Sequence, residues 1–229
     1  MTHKEFYKNY YPNMLAAEKL LLDLANRYPI GELNQTGVNP IAHISSRIKS
    51  PESVMQKLNS RGFEGTLENA MTRINDTVGM RIICHFLDDV YYIAAWLETC
   101  PEIRILKVKD YIAEPKPNGY RSLHLQVEIK TGDGAGLHSE IQLRTMAIDT
   151  WTTLEHQLKY KQQIPNEECI QNELRRVLSR GLFAKENGMY CDKHRYSSPQ
   201  STNVTLFKLE YISDSKRQTE FPPSASPYV

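Results

Sequence analysis

A chain of 229 residues that is 40% hydrophobic and 24% charged has the make-up of a soluble globular protein, with room for one sizeable domain plus additions or for two small ones. A formal net charge of +1 argues against a general nucleic-acid binder, so any anion site must be a local cluster rather than a field of the whole molecule. Cys84, Cys100, Cys169 and Cys191 show neither close pairing nor metal spacing. With no secretory leader and no apolar run of membrane length, they read as reduced thiols of a cytoplasmic protein.

Phe6, Tyr10, Met14, Ala17, Leu20, Leu21 and Leu24 recur at steps of three and four, which predicts a helix within residues 3–28. Pro29, Gly31 and Pro40 punctuate a linker. Ser50 followed by Pro51 predicts the cap and first turn of a second helix, and residues 66–74 predict a short third. Residues 79–86 read as a buried strand. Asp88 can cap a helix that runs to Thr99 and stops at Pro101. Residues 103–111 form a further strand, with Ile103, Ile105, Lys107 and Lys109 alternating against Leu106 and Val108.

Pro117-Asn118-Gly119 is turn chemistry: a fixed φ, a residue tolerant of left-handed geometry, and one with no Cβ. After it Tyr120, Ser122, His124 and Gln126 fall on one face of a strand, and Arg121, Leu123, Leu125 and Val127 on the other. A glycine-rich connection over residues 131–136 leads to a second alternating segment. There His138, Glu140, Gln142 and Arg144 stand opposite Ile141 and Leu143. Thr145 can cap a helix carrying Trp151, Leu154 and Leu158, and residues 167–182 predict another. From about residue 188 the chain is rich in Ser, Pro, Lys and Arg. Only residues 204–212 alternate well enough for a strand there, and the rest reads as a flexible tail. The division is a domain over 1–187 and a tail over 188–229. The element order predicts an α+β domain with a mixed, largely antiparallel sheet of about five strands flanked by helices.

If the two alternating strands share a sheet, one face carries a phenol, two imidazoles, a carboxylate, amides and a guanidinium. Antiparallel sheets often wet one face, and alternation alone says no more than that. Ordinary wet faces lean on Thr, Lys and Glu, however, whereas this one carries Tyr, His and Gln. Three further groups suit phosphates. Arg47, Lys49, Ser50 and Lys57 surround a helix start, where free N–H groups and the dipole attract anions; a solvated basic surface would look the same. Asp76 precedes the first buried strand, which contains Arg81. Such an Asp is commonly a turn residue, but it becomes a metal ligand if a second carboxylate approaches it. Glu140 could be that second group, because Mg²⁺ is usually held by one or two carboxylates plus substrate phosphates. Lys107, Lys109 and Lys116 either protect an edge strand or cradle a second polyphosphate beside Tyr120. A base stacked on that ring would gain ~1–3 kcal/mol. Glu155, His156, Lys159 and Lys161 near the end of the following helix are site candidates or dipole partners.

The segments RIKSPES, INDTVGMRI, DYIAEPKPNGYRSLH, EIQLRT and EHQLKYK stand here in the order and approximate spacing of the synthetase domain of RelA/SpoT-type enzymes. The resemblance covers roughly residues 5–165, and the short chain looks like a small alarmone synthetase. It implies a nucleotidyltransferase-like synthetase fold and pyrophosphoryl transfer from ATP to the 3′-hydroxyl of GTP or GDP, giving pppGpp or ppGpp plus AMP. By that resemblance Arg47 and Arg81 sandwich the adenine, and Lys49, Ser50 and Lys57 hold the ATP phosphates. Asp76 and Glu140 bind Mg²⁺, and Glu140 takes the proton from the attacking hydroxyl. Tyr120 stacks on guanine with Asn118 and Gln142 nearby, while Lys109, Lys116 and His124 meet the acceptor phosphates. The family also implies a homotetramer and RNA as a candidate regulator. The missing His-Asp dipeptide implies synthesis without hydrolysis.

Small synthetases usually continue after this region with acidic helices that help assemble the tetramer. Here Arg175, Arg176, Arg180, Lys185, Lys193, His194 and Arg195 make that segment basic. Two other readings stand beside the first. One is the same chemistry on an adenine nucleotide or the 3′ end of tRNA. The other is a non-catalytic RNA-binding module, against which Asp76 and Glu140 argue, since carboxylates repel RNA unless they hold a metal.

Overall fold

Pro12 divides the N-terminal helical stretch in two. Its ring leaves no room for the carbonyl four residues earlier, so a regular helix cannot run back through Lys8. In the computed structural model α1 spans His3–Tyr7 and α2 spans Tyr10–Asn26, with Lys8 between them at a φ of 48°. The single helix expected over this stretch is therefore corrected to two. The structure describes residues 1–30 and 38–160, together with Asn172, Glu173 and Arg176. The helix expected over 167–182, the strand over 204–212, the domain boundary at 187, the tail, Cys169 and Cys191 lie outside the described residues, apart from an ion pair of 2.6 Å between Arg176 and Glu173.

Local capping sets most helix starts. Ser50 Oγ accepts from the Ser53 N–H at 3.3 Å and Pro51 takes the first position, opening α3 over Pro51–Asn59. Thr66 does the same for α4 (Leu67–Arg73) through the Asn69 N–H. In α5 (Leu87–Thr99) Asp88 is not the cap. The helix begins one residue earlier, and Asp89 at its third position accepts from the Phe86 N–H at 3.0 Å. An acid placed there reaches back to the cap residue, as in a capping box. Thr145 Oγ1 accepts from the Ile148 N–H at 3.3 Å at the start of α6 (Met146–Tyr160).

The sheet has five strands in the order β1 (Ile41–Ile48), β2 (Val78–Cys84), β5 (His138–Thr145), β4 (Leu123–Ile129), β3 (Ile103–Asp110). Every neighbouring pair is antiparallel except β2 with β5, which is parallel. β1 had no counterpart among the expected strands. Its alternation is interrupted by an irregularity between Ile41 and His43, and half its residues are polar.

The helices cover one face. Met14, Leu21 and Leu24 of α2 and Val90, Ile93 and Leu97 of α5 pack on Val78, Met80 and Ile82 of β2, Leu123, Leu125 and Val127 of β4, and Ile141 and Leu143 of β5. Burying side chains of this size contributes about 1.5–3 kcal/mol each. The opposite face stays open and polar.

β3 keeps its phase by a bulge. Ile103 and Ile105 pair with Ile129 and Val127, the register shifts at Leu106, and Lys107 and Lys109 then pair with Gln126 and His124. The uninterrupted alternation read from the sequence puts Ile103, Ile105, Lys107 and Lys109 on one face. The extra residue corrects this, sending the isoleucines to the core and the lysines to the polar face. The hairpin between β4 and β5 lies on α2 so closely that a Cβ at Gly134 would stand 2.9 Å from the Ala17 backbone. Among the described residues, no helix is long and apolar enough to cross a membrane.

Candidate active site

Two rows of residues cross the polar face. Strand register aligns Arg47, Gly79, Glu140, Gln126 and Lys107 in one row, and Ser45, Arg81, Gln142, His124 and Lys109 in the next. Gly79, between Arg47 and Glu140, leaves the middle of the first row open.

Asp76 sits in the turn before β2. Its Oδ2 takes Lys49 Nζ at 2.7 Å and Lys57 Nζ at 2.8 Å. Its Oδ1 is buried without a hydrogen-bond partner. Burial pushes the Asp76 pKa up, but the two lysines outweigh it and hold the carboxyl below its ordinary value. Burial also lowers the pKa of Lys49, against the pull of Asp76. The backbone of Lys49 is clamped on both sides. Its N–H donates to the Thr77 carbonyl at 2.8 Å, and its carbonyl accepts from the buried Tyr7 hydroxyl at 2.6 Å. Ser50 is the α3 cap beside it. The Arg47 side chain is exposed and makes no hydrogen bond or ion pair to the described residues. Arg81 lies 3.4 Å from Asp149 Oδ1 on α6. Burial, then the nearby Arg144 charge, lowers its pKa.

On β4 and β5 the side chains form a ring. Arg144 Nη2 donates to the Tyr120 hydroxyl (2.7 Å) and to Gln142 Oε1 (2.9 Å). Gln142 Nε2 donates to Glu140 Oε1 at 2.8 Å. The Tyr120 hydroxyl lies 2.9 Å from His124 Nε2, and His124 Nδ1 lies 3.3 Å from Glu140 Oε1. A hydroxyl that accepts from Arg144 has its own proton to give to His124 Nε2, which puts the imidazole proton on Nδ1, facing Glu140. Both paths from Arg144 thus end on Glu140 Oε1. Glu140 Oε2 receives no hydrogen bond from the described residues. Burial raises the Glu140 pKa, yet the hydrogen bonds from His124 and Gln142 hold it below its ordinary value.

Tyr120 was expected on the face of a strand, but β4 begins only at Leu123. The ring is half-buried, and the Lys116 ammonium lies 5.0 Å from its centroid and 4.5 Å from that of Tyr111. Tyr111 meets Tyr120 and His124 edge-on. Asn118 shapes the loop: Oδ1 accepts from the Tyr120 N–H and Nδ2 donates to the buried Glu155, both at 3.2 Å. Gly119 follows at a φ of 87°. His156, next to Glu155 on α6, points to solvent. The structure thus gathers Lys49, Lys57 and Asp76 at one end of the polar face, and His124, Glu140, Gln142 and Tyr120 in the middle. Arg144, Asp149, Tyr111 and Tyr7 join them without having been singled out for a role. Arg144 stands in the polar alternation of β5, which was the one signal for it.

A one-faced mixed sheet whose bare side gathers cations around two carboxylates suits a transferase that handles polyphosphates. The chain belongs to the RelA/SpoT family: residues 46–165 match the family model described as the region found in RelA / SpoT proteins. It is 48% identical over 128 residues to the GTP pyrophosphokinase YwaC of Bacillus subtilis, covering 55% of this chain and 61% of that protein. It is 31% identical over 164 residues to the GTP pyrophosphokinase YjbM of the same organism, covering 70% of this chain and 76% of that one. Among solved structures, the small alarmone synthetase 1 from Bacillus subtilis bound to its product pppGpp aligns with a TM-score of 0.67 at 29% identity, over 80% of this chain and 96% of the other.

Proposed function

We propose that this chain is a GTP pyrophosphokinase that transfers pyrophosphate from ATP to the 3′-hydroxyl of GDP or GTP, releasing AMP and forming ppGpp or pppGpp. Kinship with GTP pyrophosphokinases and alarmone synthetases supports alarmone synthesis. The observation that carries the residue roles is the pairing of Asp76 and Glu140. Each gives one oxygen to protein donors and keeps the other uncommitted among the described residues, in a face that also carries Arg, Lys, His and Gln.

In this reading Arg47 and Arg81 hold the adenine, and Lys49, Ser50 and Lys57 hold the ATP phosphates. Lys109, Lys116 and His124 take the acceptor phosphates, with Tyr120, Asn118 and Gln142 around its base. The uncommitted oxygens of Asp76 and Glu140 fit Mg²⁺, a cation that oxygen ligands and phosphates hold in common, and when bound it would neutralise phosphate charge. Glu140, ionised at neutral pH, accepts the proton of the 3′-hydroxyl as that oxygen bonds to the β-phosphorus. The bond from the β-phosphorus to the bridging oxygen breaks, and AMP leaves. The protein contributes alignment and charge stabilisation. By the same kinship we assign a cytoplasmic homotetramer with RNA as a candidate regulator; light scattering tests the tetramer.

The experiment is label transfer from ATP, in the presence of Mg²⁺, to GDP, GTP, AMP and tRNA in turn. Label on GDP or GTP is expected. Label on AMP or tRNA alone would change the acceptor, and no transfer to any would leave a binding module. Glu140→Ala is expected to lower AMP formation by ~10²–10⁴ with an unchanged circular dichroism spectrum. Near-normal AMP production by that variant would sink the base assignment.

A further inference from the structure

We propose that Arg144 is a positioning residue that couples the two halves of the site, fixing Tyr120 and Gln142 through one nitrogen and Arg81 through Asp149. The inference rests on the functional reading above. Arg144 is 3% exposed, and its guanidinium is gripped at every nitrogen. Nη2 serves Tyr120 and Gln142, Nη1 lies 3.2 Å from Asp149 Oδ1, and Nε donates to Ser122 Oγ at 3.4 Å. Ser122 is fully buried and its hydroxyl donates to the Leu143 carbonyl at 3.1 Å, so the stem of the fork is tied to the β5 backbone. A planar group with five donors can hold these directions together; a lysine ammonium cannot.

What the fork reaches gives its role. Asp149 Oδ1 is shared between Arg144 at 3.2 Å and Arg81 at 3.4 Å, so one carboxylate oxygen separates two guanidinium groups that would otherwise repel. On the other side, Tyr120 passes the orientation to His124, and both His124 and Gln142 pass it to Glu140 Oε1. Its side-chain partners on Tyr120, Gln142 and Asp149 stand at the polar face rather than in the apolar core. An arginine serving stability alone has no need of three partners that each touch a different site group. The geometry makes Arg144 the common anchor of the donor-side Arg81 and the acceptor-side Tyr120.

The test is a pair of double-mutant cycles on the full chain, reading AMP formation with ATP and GDP varied separately. Arg144→Lys keeps the charge and loses the fork; it is expected to raise the KM for GDP about tenfold and that for ATP several-fold, and to lower kcat. Tyr120→Phe is expected to raise the KM for GDP, and Asp149→Asn the KM for ATP. Each double variant with Arg144→Lys should be within about twofold of its worse single parent, because one link cannot be broken twice. If Arg144→Lys does not fold, Tyr120→Phe combined with Asp149→Asn retains Arg144 and reads the same coupling, again as a non-multiplying effect on kcat/KM. Fully multiplying effects, or a lower Tm with both KM values unchanged, would overturn the inference while leaving the functional reading intact. A wild-type chain that makes no ppGpp would overturn both.

Discussion

Asp76 and Glu140 are each held ionised by their neighbours, and that has a consequence for pH. Asp76 and Glu140 bind their protons below the ordinary carboxylate value of ~4 when folded. Between the folded and unfolded values the unfolded chain carries more bound protons, so stability there rises with pH. Their contribution is complete above ~4 and is lost as pH falls through the folded values. Urea unfolding at a series of pH values should therefore show no loss from these two groups between pH 7 and 5 and a decline below ~4. A decline already complete at pH 5 would contradict their assignment as paired anions. At the same scale, Tyr7→Phe keeps the buried ring and removes the donor to the Lys49 carbonyl. We expect a loss of ~1 kcal/mol in stability and a rise in the KM for ATP, with that for GDP unchanged. Part of this site was legible one residue at a time. Glu140 stood out because a lone acid among His138, Gln142 and Arg144 had no easy structural use, whereas Arg47, Lys49 and Asp76 each had an ordinary reading as basic surface or turn and drew notice only as groups. Asp149 drew none, since an acid in a first helical turn is ordinary, and only the angle at which α6 leaves β5 turns it toward two arginines. The sequence showed Asn118 as a turn residue but not that its amide ties the loop to Glu155 and to the Tyr120 N–H.

Elements carry their own logic, and β3 is the clearest case. The bulge at Leu106 is what lets Ile105 face the core and Lys107 the site. Deleting Leu106 would leave Ile105 and Lys107 adjacent and on opposite faces without any bulge. The variant is expected to fold with a stability change of no more than about 1–2 kcal/mol and to retain activity. A collapse of the thermal melt would show that the bulge sets strand twist as well as phase. The β4–β5 hairpin gives the opposite expectation. Gly134→Ala would drive a methyl to 2.9 Å from the α2 backbone at Ala17, costing roughly 1–3 kcal/mol as the loop lifts; chemical denaturation measures it. Cap residues and prolines marked α3 and α5 in the sequence, while periodicity marked α2 and α6, and apolar runs or alternation marked the strands β2 to β5. Periodicity failed at Lys8, where Pro12 acts on a residue four places back. It failed again at β1, where an irregularity and a run of His and Ser hide a strand whose job is to carry Arg47. Residue alternation reports which face is wet; it does not report where an extra residue resets the count.

At the scale of the molecule, α2 and α5 lie against one side of the sheet, and the other side is polar. That arrangement explains why the apolar pattern predicted the fold while the polar pattern pointed, almost independently, to the candidate site. It also ties them at one seam. The parallel pairing of β2 with β5 sets Gly79 beside Glu140 and Arg81 beside Gln142, and it joins segments separated by α5, β3 and β4. Contacts between such distant stretches are the slow ones, since loop closure must be met before they reward the chain. The hairpins of β4 with its neighbours form locally, but the seam under the chemistry must wait for the rest. A half-folded chain would therefore hold secondary structure without Glu140 set beside Gly79. Enzyme activity and the folded-state emission of Trp96 and Trp151 should be lost together in a single urea transition, so that this protein has no partly active form between its folded and unfolded populations.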